Sequence, residues 1–254
     1  MSSRVEQAFI SPRYLAGPGN PAWVTVPLNE AAGWSHGHDP LMPQVVLSSP
    51  DQKTLLRLEP TPDEPWWRLT HSGGSNGPSW YASFGARTPV ELIAAVTDSL
   101  TDPGFNGRAG SDPNEPLLRA GWGRAKEGGL ASPDGIVRVE RFNYSGSAHW
   151  SIETALSRDP EHQIWQARFG DSAPARLVAA FTRALSDPEP LRRSPEQRPA
   201  LGRSRITLRW QEWPAEQVGY ALRERVDFLA SRHAGTPPPP PPPARPLAPR
   251  RRPR

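Results

Sequence analysis

Ser49-Pro50-Asp51-Gln52-Lys53-Thr54-Leu55-Leu56-Arg57-Leu58-Glu59 and Ser132-Pro133-Asp134-Gly135-Ile136-Val137-Arg138-Val139-Glu140 read as two versions of one hairpin. Proline presets the backbone angle at the second position of a turn, and aspartate accepts a hydrogen bond from an N–H two residues on. Each turn leads into the same pattern, Leu55 to Glu59 in the first version and Ile136 to Glu140 in the second. Turn chemistry accounts for Ser-Pro-Asp without assigning Asp51 a catalytic or ligand role.

The match extends outward from the turns. Trp80, Phe84 and Gly85 correspond to Trp165, Phe169 and Gly170 at an offset of 85. Leu92, Ile93, Val96 and Leu100 correspond at the same offset to Leu177, Val178, Phe181 and Leu185, one apolar face of a helix. Thr88 is a candidate cap with Pro89 in the first turn, Pro174 matches Pro89, and Asp102-Pro103-Gly104 ends the first helix. Trp67 matches Trp150 at an offset of 83, and Gly33-Trp34 recurs as Gly121-Trp122. Shifts in offset fall where loops change length. Strands are expected at Val45–Leu47, Thr54–Glu59, Trp66–His71 and Trp80–Phe84, and Trp23-Val24-Thr25-Val26 also alternates like a short strand.

The expected fold class is α+β: two tandem ββββα repeats with antiparallel sheets, helices packed on one face, pseudo-twofold symmetry and a further C-terminal helix. Residues 1–22, rich in proline and glycine, are expected to be a flexible lead-in. The first repeat then spans 23–104, a linker 105–120, the second repeat 121–188, and a connection with the C-terminal helix 189–235. In that last segment Ile206 to Trp210 reads as a strand and Ala215 to His233 as a helix. Residues 236–254, with prolines 237 to 243, are expected to be a disordered Pro/Arg tail. Whether the repeats share one sheet stays open.

Two Ser-Pro-Asp units, with Gly33-Trp34-Ser35-His36-Gly37-His38-Asp39-Pro40 upstream and Tyr81-Ala82-Ser83-Phe84-Gly85 downstream, resemble the SPDY domain family of Streptomyces proteins, which typically carry two copies. The resemblance covers about residues 12 to 188, and the second unit lacks the His36-to-Asp39 segment. It implies no activity. The element order also resembles that of Whirly-type single-stranded nucleic-acid binders, an analogy of topology alone.

Charge narrows the classes of function. The chain has 254 residues and a net charge of +4, yet Arg245, Arg250, Arg251, Arg252 and Arg254 lie in the tail. Without those five, 25 cationic residues face 26 acidic ones, so the body carries −1. Cysteine is absent, which excludes disulfides, thiolate catalysis and cysteine metal sites. No stretch approaches the length of a membrane span, so no membrane span and a cytoplasmic location are expected. There is no Gly-x-Ser-x-Gly, the Gly73–Gly77 loop lacks the phosphate-loop Lys-Ser/Thr, and Asp63 and Glu64 lie in a proline loop. No cofactor is expected.

Three functional readings follow. The first is a non-enzymatic binding or scaffolding protein that acts through protein contacts and self-association. The second is a single-strand binder. In both, alternation places Leu56, Leu58, Trp67, Leu69, Trp80, Ala82 and Phe84 under the helix, and Arg57, Trp66, Arg68 and Tyr81 on the opposite face with Leu55, Glu59, Thr70 and Ser83. Arg138 joins them from the second repeat, and the tail arginines are a candidate nucleic-acid or docking hook. The third reading is a metal-dependent enzyme at His36, His38 and Asp39, the one dense group of ligand-type residues. His149, His162 and His233 read as surface or strand residues.

Overall fold

The computed structural model describes residues 3–37, 44–60, 66–74, 77–104, 112–125, 128–144, 146–199 and 201–234. Both Ser-Pro-Asp turns form as the sequence suggests. Asp51 Oδ1 accepts from Ser49 Oγ at 2.6 Å and Lys53 N at 3.1 Å, while Ser49 Oγ accepts from Thr54 N at 2.9 Å. Asp134 Oδ1 accepts from Ser132 Oγ and Ile136 N at the same 2.6 and 3.1 Å, and Val137 N donates to Ser132 Oγ at 2.9 Å. Ser49 holds Asp51 in its charged form, so the Asp51 carboxyl titrates below its ordinary value, with Lys53 N contributing through a further hydrogen bond.

Because Thr54 and Val137 both bond the serine hydroxyl, they are equivalent, and Arg57 corresponds to Glu140. The sequence match of Leu55–Glu59 with Ile136–Glu140 is therefore displaced by two residues. The fourth turn residue is left-handed in both copies, Gln52 at φ 58° and Gly135 at φ 72°. A side chain there costs about 1–2 kcal/mol. We expect Gly135→Gln, which copies the first turn into the second, to lower stability by about 1 kcal/mol, and Gln52→Gly to shift it by less, since the Gln52 amide bond to Ser49 O is lost in exchange. Paired urea melts check this, and a harmless Gly135→Gln would contradict the strain argument.

Each half contributes five strands, one more than expected. The first half has β2 (Ser35–Gly37), β3 (Val45–Ser48), β4 (Thr54–Leu58), β5 (Trp67–His71) and β6 (Trp80–Phe84), then α2 (Val90–Thr101). The second has β7 (Gly123–Arg124), β8 (Leu130–Ala131), β9 (Val137–Tyr144), β10 (Ser147–Ala155) and β11 (Gln163–Phe169), then α4 (Ala175–Ser186). All ten strands form one sheet in the order β2-β3-β4-β5-β6-β11-β10-β9-β8-β7. The halves meet at β6 and β11, where Phe84 pairs Ala167, Ser83 pairs Arg168 and Ala82 pairs Phe169. These pairs are symmetric under the 85-residue offset, so a pseudo-twofold axis passes between Ser83 and Arg168.

Helices α2 and α4 pack against each other across that axis. Beneath them Phe181 meets Phe84 and Phe169 at 5.7 Å each and Trp165 at 6.2 Å between ring centroids. Pro89 and Pro174 are extended residues just before their helices, at φ −56° and ψ 127° and 126°. Thr88 is thus buried before the helix and does not cap it.

A helix precedes each set of strands: α1 (Ala22–Glu30) before Gly33-Trp34 and α3 (Glu115–Arg119) before Gly121-Trp122. The strand expected at Trp23–Val26 is therefore the first turn of α1. Asn20 Oδ1 accepts from Ala22 N at 3.0 Å at its start, and the buried pair Val24 and Leu28 supplies the helical spacing that four alternating residues cannot reveal. Of the expected 105–120 linker, 105–111 lie outside the described residues and 115–119 form α3.

The expected lead-in is also corrected. β1 (Arg4–Ser11) is the central strand of a second sheet, between β12 (Leu191–Arg193) and β13 (Thr207–Pro214). β13 extends the expected 206–210 strand, and α5 (Ala215–Ala234) follows it. This C-terminal segment rests on the first half through arginines. Arg193, 2% exposed, pairs Glu91 at 2.6 and 2.8 Å and donates to the carbonyls of Ala16, Gly17 and Arg192. Arg225 grips Asp98 at 2.7 and 2.9 Å and donates to Trp23 O. Burial raises the Asp98 carboxyl above its ordinary value, opposed by Arg225.

Candidate functional site

Every helix contact described above lies on one side of the ten-stranded sheet, and on the other side the described residues include the exposed side chains of Arg57, Tyr81, Arg168 and Phe142. The alternation expected for that side holds for most of the residues concerned. Arg57 is half-exposed on β4, Arg68 half-buried on β5, Tyr81 43% exposed on β6 and Arg138 half-buried on β9. Trp66 differs. It precedes β5 and is half-buried with its ring packed against the core, so it is not a free aromatic of that face.

Strand register arranges this face into rows. The first runs Arg57, Arg68, Ser83, Arg168, Ser151 and Glu140, each residue directly opposite the next on the neighbouring strand. Arg57 and Arg68 sit directly opposite each other in the register of β4 and β5. Arg57 has a weak counter-ion in Glu59 at 3.9 Å.

A second row lies two residues along the strands, about 7 Å away. It runs Leu55, Thr70, Tyr81, Gly170, His149 and Phe142, with Gly170 N donating to Tyr81 O at 2.9 Å. Tyr81 lies over Gly170, where an added Cβ would meet the ring at 2.7 and 2.8 Å. From there the ring reaches His149 at 6.5 Å, and His149 stacks on Phe142 at 5.7 Å. Phe142 is 41% exposed. Glycine at 170 is thus what allows an aromatic line to cross from β6 to β9.

The sequence reading missed Arg168, Gly170, Phe142 and the role of His149. A signal for one of them was present: at the 83-residue offset His149 is the counterpart of Trp66. The symmetric counterpart of the aromatic row carries Arg138, Glu153, Gln166, Gly85, Trp66 and Glu59, so its one aromatic is Trp66, half-buried against the core.

Other polar groupings serve the fold. Ser157 Oγ lies 2.6 Å from His162 Nδ1 and also accepts from Asp159 N, which locks the turn between β10 and β11. A cleft of about 980 Å³ over α2 and α4 is lined by Asp98, Asp102, Glu115 and Asp187. Each of those carboxylates already holds an arginine: Arg225, Arg232, Arg119 and Arg13 respectively. Tyr14 donates to Asp134 Oδ2 at 2.8 Å and is pushed above its ordinary value first by burial and then by this carboxylate, which ties the N-terminal segment to the second Ser-Pro-Asp turn.

Of the metal candidates, His36 lies on edge strand β2 opposite Leu47, while His38 and Asp39 fall outside the described residues. No group of three or more histidine, cysteine, aspartate or glutamate residues is placed to hold a metal among the described residues. The tail arginines Arg245, Arg250, Arg251, Arg252 and Arg254 also lie outside them. No helix among the described residues is long and apolar enough to cross a membrane.

Comparison with curated proteins and with solved structures finds no match. A family model does match twice, at residues 48–104 and 131–191, each span running from a Ser-Pro-Asp turn through the helix that follows it. The geometric repeat and the matched repeat coincide, and the chain carries two copies of the SPDY domain, a domain of unknown function (DUF317).

Proposed function

We propose that this is a non-enzymatic binding protein whose ligand is anionic and lies across the outer face of the ten-stranded sheet. The observation that carries the reading is the register row Arg57, Arg68, Ser83 and Arg168, which sets three guanidinium groups across four adjacent strands. Guanidinium groups at this strand spacing can each meet a run of negative charge with charge-assisted hydrogen bonds. The strand-then-helix order of each half, the basis of the Whirly likeness, supports face-on binding because it gathers both helices on one side. Pairing of two such faces from two copies would bring arginine rows together.

The test is salt elution of the full-length chain from a polyphosphate matrix, with the five tail arginines changed to serine so that the tail does not contribute. Adding Arg57→Glu and Arg168→Glu is expected to move elution to clearly lower salt. Elution at the same salt removes the face from the reading.

A second reading keeps the protein-partner expectation and moves it to α5, where Tyr220 is 57% and Phe228 62% exposed. Sedimentation equilibrium decides it: self-association lost in a Tyr220→Ser, Phe228→Ser variant supports contact through α5, and a monomer at all concentrations ends it.

A further inference from the structure

We infer that the anionic ligand is single-stranded nucleic acid, which crosses the sheet with phosphates on the row of Arg57, Arg68 and Arg168 and bases on the row of Tyr81, His149 and Phe142. This inference rests on the binding face proposed above.

The two rows run side by side, about 7 Å apart, and both cross the strands at right angles. A polyanion without rings would use only the first. The second is a line of rings in mutual contact, with Tyr81 and Phe142 exposed and His149 half-buried between them, Tyr81 to His149 at 6.5 Å and His149 to Phe142 at 5.7 Å. Such a line is a stacking platform, and a charged row beside it is the pairing by which unpaired strands are held. Ser83 and Ser151 stand in the arginine row at positions where a hydroxyl can bond a phosphate oxygen.

The shape of the surface argues against a duplex. Reading a duplex requires an element that enters a groove, whereas these rows lie across the strands of a sheet and their rings can be reached only by bases that are not stacked on a partner strand. The extent of the site is limited as well. Arg57 and Arg168 are three strands apart, about 14 Å, and Glu140 closes the row at its other end. The exposed rings Tyr81 and Phe142 lie on one side of the pseudo-twofold axis, where their counterparts across it are Gln166 and Glu59 and that of His149 is the half-buried Trp66, so the strand is bound off-axis.

The experiment is fluorescence anisotropy of the full-length chain, with tail arginines as serine, against a labelled oligothymidine, an abasic oligomer of equal length and inorganic polyphosphate. Tyr81→Ala is expected to weaken oligothymidine binding about 10-fold or more and leave the abasic oligomer unchanged, while Tyr81→Phe retains the affinity. Arg168→Ala is expected to weaken all three ligands and to lower the salt slope by about 0.7.

Equal binding of the abasic oligomer and oligothymidine, with no effect of Tyr81→Ala, overturns the nucleic-acid inference and leaves an anionic ligand standing. Tighter binding to a duplex of the same sequence also overturns it. Binding by none of the three ligands, or binding indifferent to Arg57→Glu and Arg168→Glu, overturns the face itself.

Discussion

Arg193→Ala is expected to remove about 3–5 kcal/mol of stability, a large part of the total for a domain of this kind. The reason is the completeness of the guanidinium's contacts. Its five N–H groups meet both oxygens of Glu91 and the carbonyls of Ala16, Gly17 and Arg192, with 2% of the residue exposed. Removing it leaves the half-buried Glu91 carboxylate and three carbonyls without their donor. Arg193→Lys is expected to recover little, since an ammonium has three donors and no planar fork. Urea unfolding followed by circular dichroism measures the loss. A change under about 1 kcal/mol in Arg193→Ala would show that water replaces these contacts and that the staple between β12 and α2 is dispensable.

Phe181→Ala is expected to cost a similar amount, about 3–5 kcal/mol, by a different route. Phe181 is fully buried on α4 where the two halves meet, in ring contact with Phe84 of the first half and with Trp165 and Phe169 of the second. Alanine opens a cavity between elements anchored in the ten-stranded sheet, which cannot collapse freely. Phe181→Leu keeps most of the volume and is expected to cost less than half as much. Calorimetry distinguishes the cases: one cooperative transition at lower temperature fits a shared core, whereas two separated transitions in Phe181→Ala would mean that the halves fold as independent units.

The duplication, the two helices α2 and α4 and both Ser-Pro-Asp turns were legible because each is encoded within a few residues. Turn chemistry acts over two to five positions, and a helix shows its buried face at spacings of three and four. Alternation likewise placed Arg57, Arg68 and Tyr81 on the outer face. Trp66 keeps this parity, half-buried beside the buried Trp67, but packs against the core. Alternation failed for Trp23 to Val26, four residues too short to separate a period of two from one of 3.6.

β1 was illegible for another reason. Its sequence, Arg4 to Ser11, carries little apolar pattern, and its partners lie some 180 and 200 residues away in β12 and β13. Nothing local marks a strand whose edges are satisfied only by the far end of the chain.

The sequence by itself determined what short-range chemistry can determine: two copies of one strand-and-helix unit, the turn at the head of each, and which side of each strand faces its helix. Only the tertiary structure decided that the two units share a single sheet. That junction depends on Ala82, Ser83 and Phe84 finding Phe169, Arg168 and Ala167, a pairing of symmetric residues 85 positions apart. The same junction completes the arginine row and, through the space left at Gly170, lets Tyr81 reach His149. Backbone pairing over that separation leaves no periodicity in the chain, because its energy arises only when both halves are already folded.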